Sequence, residues 1–305
     1  MKLTTRLSYQ QAVCEALKRI AQQLDEALDL TELARAACLS PLHFHHVFRG
    51  VTGETPLEMH RRLRLERAAR RLASEESSVT NIAFHAGYET HESFTRAFRQ
   101  AYARSPSEFR ALARQSYDGC ERPPSCELAA RSEVHFGQAV PELRLPIQGE
   151  EAMQVEIEHM QAMRLATVHH VGPYNAIGEA FAKLGALAGR AGLLSGPATM
   201  VAIYHDSPEN TPAAELQSDA GCVVPASVKI PEGLGEIHVP AGRYARATHI
   251  GPYSKLGDTW ARLMGEWLPQ SGLRVGSGVS FEIYRSDMQN TPPEQLRTDL
   301  YVPLE

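Results

Sequence analysis

The residue that points most directly to chemistry in this chain of 305 residues is a glutamate between aromatic residues. Glu282 stands in the segment FEIY, whose alternation predicts a strand that carries Glu282 and Tyr284 on one face. A carboxylate on the inner face of a sheet costs desolvation unless a partner compensates it, so Glu282 is a candidate counter-ion for a bound cation. A glutamate at the rim of the sheet, or one paired with an arginine, fits the same pattern.

Aromatic side chains in the same half of the chain are candidates to line a pocket around that carboxylate, because the face of an aromatic ring attracts a cation. Packing in the core or covering the surface is the alternative role for each ring taken singly. The predicted ligand-binding residues are Glu282, Tyr284, Tyr204, Tyr174, Tyr253, Trp260 and Trp267.

The first 115 residues contain a second kind of candidate, a concentration of arginine. They hold 17 Lys and Arg against 13 Asp and Glu, whereas residues 116–305 hold 14 against 23. Six arginines fall within residues 61–71. Such a basic helix suits the phosphates of DNA, although a solvated helix face is the simpler interpretation of a charge run taken alone.

Hydrophobic periodicity predicts that this first part is helical throughout and that it contains a repeat. Two copies, each a short helix, a tight turn and a second helix, match with an offset of 49–50 residues, which is a helix-turn-helix arrangement. A connecting helix over residues 57–73 spans ~25 Å. With its turns it can hold two recognition helices about one DNA turn, ~34 Å, apart. The aligned residues are Phe44 with Phe94, Phe48 with Phe98, and Pro56 with Pro106.

Residues 9–115 resemble the DNA-binding domain of the AraC/XylS family of transcription regulators. The resemblance rests on IAFHAGYETHESFTRAFRQAYARSPSEFR in the second copy and TPLEMHRRLRLERAARRLA in the connecting helix. It implies base-facing residues on both recognition helices and phosphate contacts from arginines of the connecting helix. The first recognition helix has two histidines and no arginine at its base-facing positions, so it lacks the bidentate fork that reads guanine. The implied DNA-binding residues are Leu42, His45, His46, Arg49, Arg61, Arg62, His91, Glu92, Thr95 and Arg96.

Histidines and cysteines do not predict a metal site. His43, His45, His46 and Cys38 lie close together, but only His43 and His46 have helical i,i+3 spacing, and no matched second pair accompanies them. The five cysteines contain no CxxC pair, and no apolar run reaches the ~18 residues of a membrane-spanning helix. We expect no metal, no cofactor, no membrane partner, and a cytoplasmic protein whose thiols are mostly structural.

The second half of the chain is also an internal duplication. Residues 166–225 match residues 245–303 with an offset of 79–80. Each copy predicts a strand, a helix and two strands, so together they form an α+β domain of about eight strands with helices on one side. The aligned residues include Tyr174 with Tyr253, Ala202 with Glu282, Tyr204 with Tyr284, and Asp219 with Asp299.

Residues 153–305 resemble the GyrI-like effector-binding domain, which follows helix-turn-helix domains in multidrug-responsive regulators. The matching features are two GPY motifs, FEIY, GEWLPQSG and NTPPEQLRTDLYVP. The resemblance implies lipophilic, often cationic, organic ligands and assigns the ligand-binding carboxylate to Glu282. Some GyrI-like domains hydrolyse strained small molecules, so a hydrolase in which Glu282 assists attack by water is the alternative. A module that sequesters a protein is a third hypothesis, supported by the acidic excess of this half.

These features predict a sequence-specific, DNA-binding transcription regulator. Residues 1–115 form an all-α domain with two helix-turn-helix units, residues 116–150 a linker, and residues 151–305 an α+β domain that senses a small organic ligand. No Ser-His-Asp constellation is visible, and we expect no catalytic residue and no enzyme activity. Double-stranded DNA and the small organic ligand are the expected partners, with RNA polymerase as a further candidate.

Overall fold

The computed structural model describes residues 9–116, 134–137, 153–194, 196, 198–286 and 290–305. Most of the predicted linker, residues 116–150, lies outside these ranges. By their contacts the residues form two compact units, one of Met1–Cys38 with Val51–Leu145 and the other of Leu39–Gly50 with Pro146–Glu305. None of the described helices is long and apolar enough to cross a membrane.

Seven α-helices follow one another in residues 9–116, in agreement with the predicted all-α domain. The first ends at Gln22. The third is divided between the units, since its residues up to Gly50 belong to the second. The helices are α1 (Tyr9–Gln22), α2 (Leu30–Ala36), α3 (Pro41–Thr52), α4 (Pro56–Ser74), α5 (Val79–His85), α6 (His91–Tyr102) and α7 (Pro106–Ser116).

The connecting helix α4 organises the first unit. It begins at a capping box, in which the Thr55 side chain accepts a hydrogen bond from the Glu58 N–H and the Glu58 carboxylate accepts one from the Thr55 N–H. It packs against α1, α5, α6 and α7. Its inward residues are buried, namely Leu63, Ala68, Ala69 and Leu72.

The backbone confirms the repeat of the helix-turn-helix units. In each helix-turn-helix copy, the turn between the two helices contains a residue with positive φ. This residue is Cys38 at 57° in the first copy and Gly87 at 76° in the second. The residue that ends each recognition helix is also left-handed, Gly53 at 77° and Ala103 at 53°. Glycine adopts this conformation without the steric cost that Cys38 and Ala103 bear. The two copies therefore share one backbone geometry even where only one of them has glycine.

The second unit contains an eight-stranded antiparallel sheet with the order β1-β6-β8-β7-β3-β4-β2-β5. The predicted α+β fold with about eight strands is confirmed. The strands are β1 (Val155–Met160), β2 (Met163–Val171), β3 (Met200–Tyr204), β4 (Gln217–Val223), β5 (Gly235–Val239), β6 (Gly242–Ile250), β7 (Phe281–Tyr284) and β8 (Arg297–Pro303).

The two copies of the duplication exchange their first strands. Strand β1 of the first copy pairs with β6 of the second, and β5 of the second pairs with β2 of the first. The copies meet at the centre of the sheet, where β3 pairs with β7. The first copy contributes helix α8 (Gly178–Arg190), and the second contributes α9 (Leu256–Arg262), a π-helical turn (Leu263–Trp267) and α10 (Leu268–Ser271).

The faces of the sheet bury different residues. On one face, Ala166, Ala202 and Ala220 pack against residues of α8 such as Leu184. On the other face, Phe281, Ile283 and Tyr301 belong to a second core. Because neighbours along a strand point to opposite faces, Glu282 lies on the same face as α8.

Candidate functional site

The carboxylate of Glu282 lies at the junction of the two copies. Glu282 stands opposite Ala202 in the ladder between β7 and β3, so the two positions that the duplication aligns are direct neighbours. The side chain is 2% exposed. The Trp260 Nε1–H donates to its Oε1 at 2.7 Å, and the Tyr284 hydroxyl donates to its Oε2 at 2.8 Å. Both carboxylate oxygens therefore have a neutral donor.

Further tyrosines surround this group. The Tyr204 and Tyr284 hydroxyl oxygens lie 3.2 Å apart. The ring of Tyr174 is centred 4.7 Å from that of Tyr204, and the ring of Tyr253 5.2 Å from that of Tyr284. We call Glu282, Trp260, Tyr204 and Tyr284 the Glu282 cluster.

The structure thus brings together six of the seven residues predicted to bind a ligand. The seventh, Trp267, is half-buried in the π-helical turn and takes part in none of the hydrogen bonds described for the cluster. A residue that the sequence did not single out, Phe181 of α8, adds a ring centred 5.5 Å from that of Tyr284. Its position is visible in the duplication, because Phe181 follows the first GPY motif by the same distance as Trp260 follows the second.

The electrostatics of the cluster are those of a buried acid without a cation. Burial raises the pKa of Glu282 above its usual value, and the hydrogen bonds from Trp260, Tyr284 and Tyr204 oppose that rise. The pKa values of Tyr204 and Tyr284 lie well above the usual value, because both hydroxyls are buried and ionised phenolates would repel Glu282. Within the described ranges, no Lys, Arg or His forms an ion pair with Glu282. Glu282 is therefore neither a rim residue nor the partner of a described arginine.

The second recognition helix, α6, presents an exposed polar face. His91, Glu92 and Arg96 are exposed, as contacts to base edges require. Thr95 is half-buried, and its hydroxyl oxygen has no hydrogen-bond partner among the described residues. On α4, Arg61 is exposed.

Arg62 does not point outward with the other arginines of α4, which corrects that expectation. Arg62 is 1% exposed, and its guanidinium donates to Glu54 at 2.6 and 2.9 Å and to Glu66 at 2.7 Å. It also donates to the Val134 carbonyl at 2.9 Å. A guanidinium that is buried and saturated in this way cannot reach a phosphate, so Arg62 is a structural residue of the first unit.

The segment Leu39–Gly50, which we call the α3 segment, packs within the second unit. The ring of His46 stacks on that of Trp260, with centroids 5.5 Å apart and planes 19° apart. His45 is 8% exposed, and its Nδ1 lies 3.3 Å from a carboxylate oxygen of Glu209. Leu42 and Arg49 are half-buried. Burial lowers the pKa of His46 well below its usual value, and the nearby basic side chains, among them Arg49, add to that effect.

Comparisons with known protein families match the helical part and the sheet part of the chain separately. Residues 153–305 match the GyrI-like small molecule binding domain, and residues 33–112 match a helix-turn-helix domain. Together with the fold and the recognition helices, these matches define the class of the protein, an AraC-type DNA-binding transcription regulator. The chain belongs to the GyrI-like family through its second half.

Individual relatives match one half or the other. A DNA gyrase inhibitor of Erwinia billingiae is 31% identical over 50% of this chain and 97% of its own length. The regulatory protein SoxS of Salmonella typhimurium is 32% identical over 34% of this chain and 97% of its own length. The crystal structure of the EcmrR C-terminal domain is 18% identical, with a TM-score of 0.41, over 51% of this chain and 99% of that chain.

Proposed function

We propose that this regulator binds a lipophilic organic cation in its GyrI-like domain and that Glu282 is the counter-ion. The observation that carries the proposal is the burial of the Glu282 carboxylate among aromatic rings with only neutral donors. Removing a carboxylate from water costs several kcal/mol in proteins even after relaxation, about the scale that a buried ion pair must offset. A bound cation would offset that cost.

The composition of the cluster favours an organic cation over a small inorganic one. Tyr174, Tyr253 and Phe181 add ring faces next to Tyr204 and Tyr284, and such faces attract delocalised or quaternary cations. An inorganic cation prefers several oxygen ligands, whereas Glu282 is the one carboxylate in the cluster. The family that residues 153–305 match is a small molecule binding domain, which supports a small ligand rather than a protein as the occupant.

The same geometry implies that the site is closed in this structure. Both oxygens of Glu282 are engaged, and the side chain is 2% exposed. A cation can reach the carboxylate only if one of its donors, Trp260 or Tyr284, moves. We therefore expect binding to be coupled to a rearrangement of the cluster.

The DNA-reading residues are proposed in the same way. The exposed face of α6 supports His91, Glu92 and Arg96 as contacts to base edges, with Thr95 beside them. Exposure of Arg61 supports a phosphate contact. Leu42, His45, His46 and Arg49 stay predicted contacts of the first recognition helix, and RNA polymerase stays a predicted partner.

Titration calorimetry of the full chain tests the role of Glu282 directly. The probes are tetraphenylphosphonium and the neutral triphenylphosphine oxide. Glu282→Gln keeps the size of the side chain and a hydrogen-bonding group for Trp260 and Tyr284, so it removes mainly the charge. We expect it to weaken binding of the cation at least tenfold, a loss of about 1.4 kcal/mol or more, and to leave the neutral probe unaffected.

Glu236→Gln is the matched control, because Glu236 pairs with Arg164 on β2 at a partly exposed position. Its affinity for the cation should equal that of the wild type. Equal affinity of wild type and Glu282→Gln would remove Glu282 from the site. Consumption of a bound ligand during the titration would instead support the hydrolase hypothesis.

A further inference from the structure

Trp260 connects the proposed ligand site to the α3 segment. One edge of its indole donates to Glu282 at 2.7 Å, and one face stacks on the ring of His46. The indole is 7% exposed, so little of it is open to solvent beyond these neighbours. A displacement that breaks the hydrogen bond to Glu282 therefore also disturbs the stacking on His46.

Other contacts hold the α3 segment in the same place. The His43 Nε2 and the Ser280 hydroxyl lie 2.8 Å apart, directly before β7. The Arg49 guanidinium donates to Asp258 of α9 at 2.8 Å. These contacts lie on either side of His46 in sequence, so the segment is held at three points along its length.

Gly50 makes the closest approach. A Cβ atom at this position would lie 2.1 Å from the carbonyl oxygen of Ala261 and 2.5 Å from the Cα of Gly265. Both neighbours are backbone atoms, which cannot move aside as the end of a flexible side chain does. Glycine is therefore required for this packing, and any larger residue opposes it.

This packing covers predicted DNA-reading residues. His45 is 8% exposed, and one face of His46 is covered by Trp260. A base edge cannot approach residues covered in this way, because a hydrogen bond requires direct contact or one bridging water. The α3 segment thus has two mutually exclusive uses, packing on Trp260 and reading DNA.

We propose that the packed α3 segment is an autoinhibitory contact that a ligand at Glu282 releases. The inference rests on the proposed function, since it takes the cation as the agent that moves Trp260. With the segment packed, the indole stays over Glu282 and the site is closed. With a cation at Glu282, the indole moves, and the first recognition helix becomes free for DNA.

Trp260 is the donor that can move away from Glu282. The other donor, Tyr284, belongs to the central strand β7, and its ring is enclosed by those of Tyr253 and Phe181. Trp260 lies instead on the short helix α9, directly before the π-helical turn. Cation and DNA should then bind with positive cooperativity, because coupling between two sites is reciprocal.

Gly50→Ala separates the packing from the ligand site. It adds one methyl group that the packed state cannot hold, and it lies outside both the Glu282 cluster and the predicted base contacts. Because alanine favours the helix itself, the α3 helix should remain formed. We expect tetraphenylphosphonium to bind about fivefold more tightly to this variant, within the usual range of coupling between sites. The matched control is Gly185→Ala on α8, where a Cβ meets no atom within 4 Å.

Hydrogen exchange of residues 41–50 in the full chain provides the structural readout. We expect faster exchange after tetraphenylphosphonium is added to the wild type, fast exchange without ligand in Gly50→Ala, and no response to the cation in Glu282→Gln. Ser280→Ala removes the partner of His43 and should shift exchange in the same direction as Gly50→Ala. It replaces Gly50→Ala in the test if Gly50→Ala does not fold.

The outcomes distinguish the two proposals. If the cation binds at Glu282 but exchange of residues 41–50 and the affinity of Gly50→Ala do not change, the autoinhibitory contact is wrong and the proposed function stands. If no cation binds to the wild type or to Gly50→Ala, the proposed function is wrong and the release by ligand is overturned with it.

Discussion

The two copies in the second unit have the same strands but bury different groups where they meet. In the ladder between β3 and β7, the first copy contributes Ala202 and the second contributes Glu282. On the helices above, the first copy has Phe181 where the second has Trp260. The carboxylate and the indole that donates to it thus occur in the same copy.

This paired difference separates fold from function. The first copy shows that an alanine and a phenylalanine suffice at these positions for the sheet to form. A buried carboxylate costs free energy, and an indole N–H reduces that cost by donating a hydrogen bond. Because the fold does not require the acid, this difference supports the proposed role of Glu282 in binding.

The copies also hold an aligned aspartate with different partners. Asp219 of β4 is bonded by His169 at 3.1 Å and by His205 at 2.6 Å. Asp299 of β8 is bonded by Thr248 and by Arg285, both at 2.8 Å. The first copy therefore pairs its aspartate with two histidines, and the second pairs it with a permanently charged arginine.

The largest expected effect comes from giving the first copy an acid as well. Ala202→Glu places a second carboxylate directly opposite Glu282 in a fully buried position. We expect a loss of about 3–5 kcal/mol in the free energy of unfolding at pH 7, because the new charge is buried without a partner and repels Glu282. Urea denaturation measures it.

The pH dependence of that variant has a definite sign. A buried carboxyl has a raised pKa, so the destabilisation should diminish as the pH falls and the group becomes neutral. Ala202→Gln controls for size, since it adds nearly the same volume without charge. Addition of Phe181→Trp should recover part of the loss if an indole donor is what makes the acid tolerable, and no recovery would contradict the paired interpretation.

A smaller effect is expected from making the second copy resemble the first. Trp260→Phe leaves Oε1 of Glu282 without its donor and should lower the free energy of unfolding by about 1–3 kcal/mol. Trp267→Phe makes the same chemical change outside the cluster and should cost less. A Trp260→Phe variant as stable as Trp267→Phe would show that the hydrogen bond to Glu282 contributes little.

The smallest expected effect concerns the aspartates. The hydrogen bond to Asp219 raises the pKa of His205, while His205 and His169 lower the pKa of Asp219 against the effect of burial. A raised histidine pKa stabilises the folded state below the unfolded value of about 6.5, and this contribution is lost as the pH rises through the folded pKa. His205→Gln should therefore cost at most about 1 kcal/mol at pH 6 and less at pH 9, because the side chain is 38% exposed.

Arg285→Gln provides the comparison in the second copy. The guanidinium keeps its charge at both pH values, so its contribution to the bond with Asp299 should be the same at pH 6 and pH 9. Thermal unfolding of both variants at the two pH values measures the contrast. A His205→Gln effect that does not depend on pH would contradict the assignment of the charge to His205.

Much of the fold followed from local patterns. An all-α first part, about eight strands in the second part and both duplications were predicted, because hydrophobic periods act over a few neighbours and repeated motifs can be aligned directly. The Glu282 cluster was predicted in part, since the alternation of β7 placed Glu282 and Tyr284 on one face. The alignment of Ala202 with Glu282 was also visible in the sequence. Their pairing across the ladder between β3 and β7 was not.

Arg62 shows where local patterns failed. Its place in an arginine-rich run predicted an outward side chain, but Glu54, Glu66 and the Val134 carbonyl surround it in the folded unit. Val134 is 72 residues away in sequence. Whether a charge is solvated or buried depends on such distant neighbours, which a helical period does not contain.

The sequence by itself determined the two duplicated architectures and the alternation that places Glu282 and Tyr284 on one face, because both are encoded in residue types at short spacing, while the resemblance to known families indicated the class of protein. The tertiary structure alone decided that both oxygens of Glu282 receive neutral donors and that Trp260 stands between this acid and His46. His46, Trp260 and Glu282 are far apart in sequence. Their contact arises from side-chain packing, which depends on the positions of whole elements.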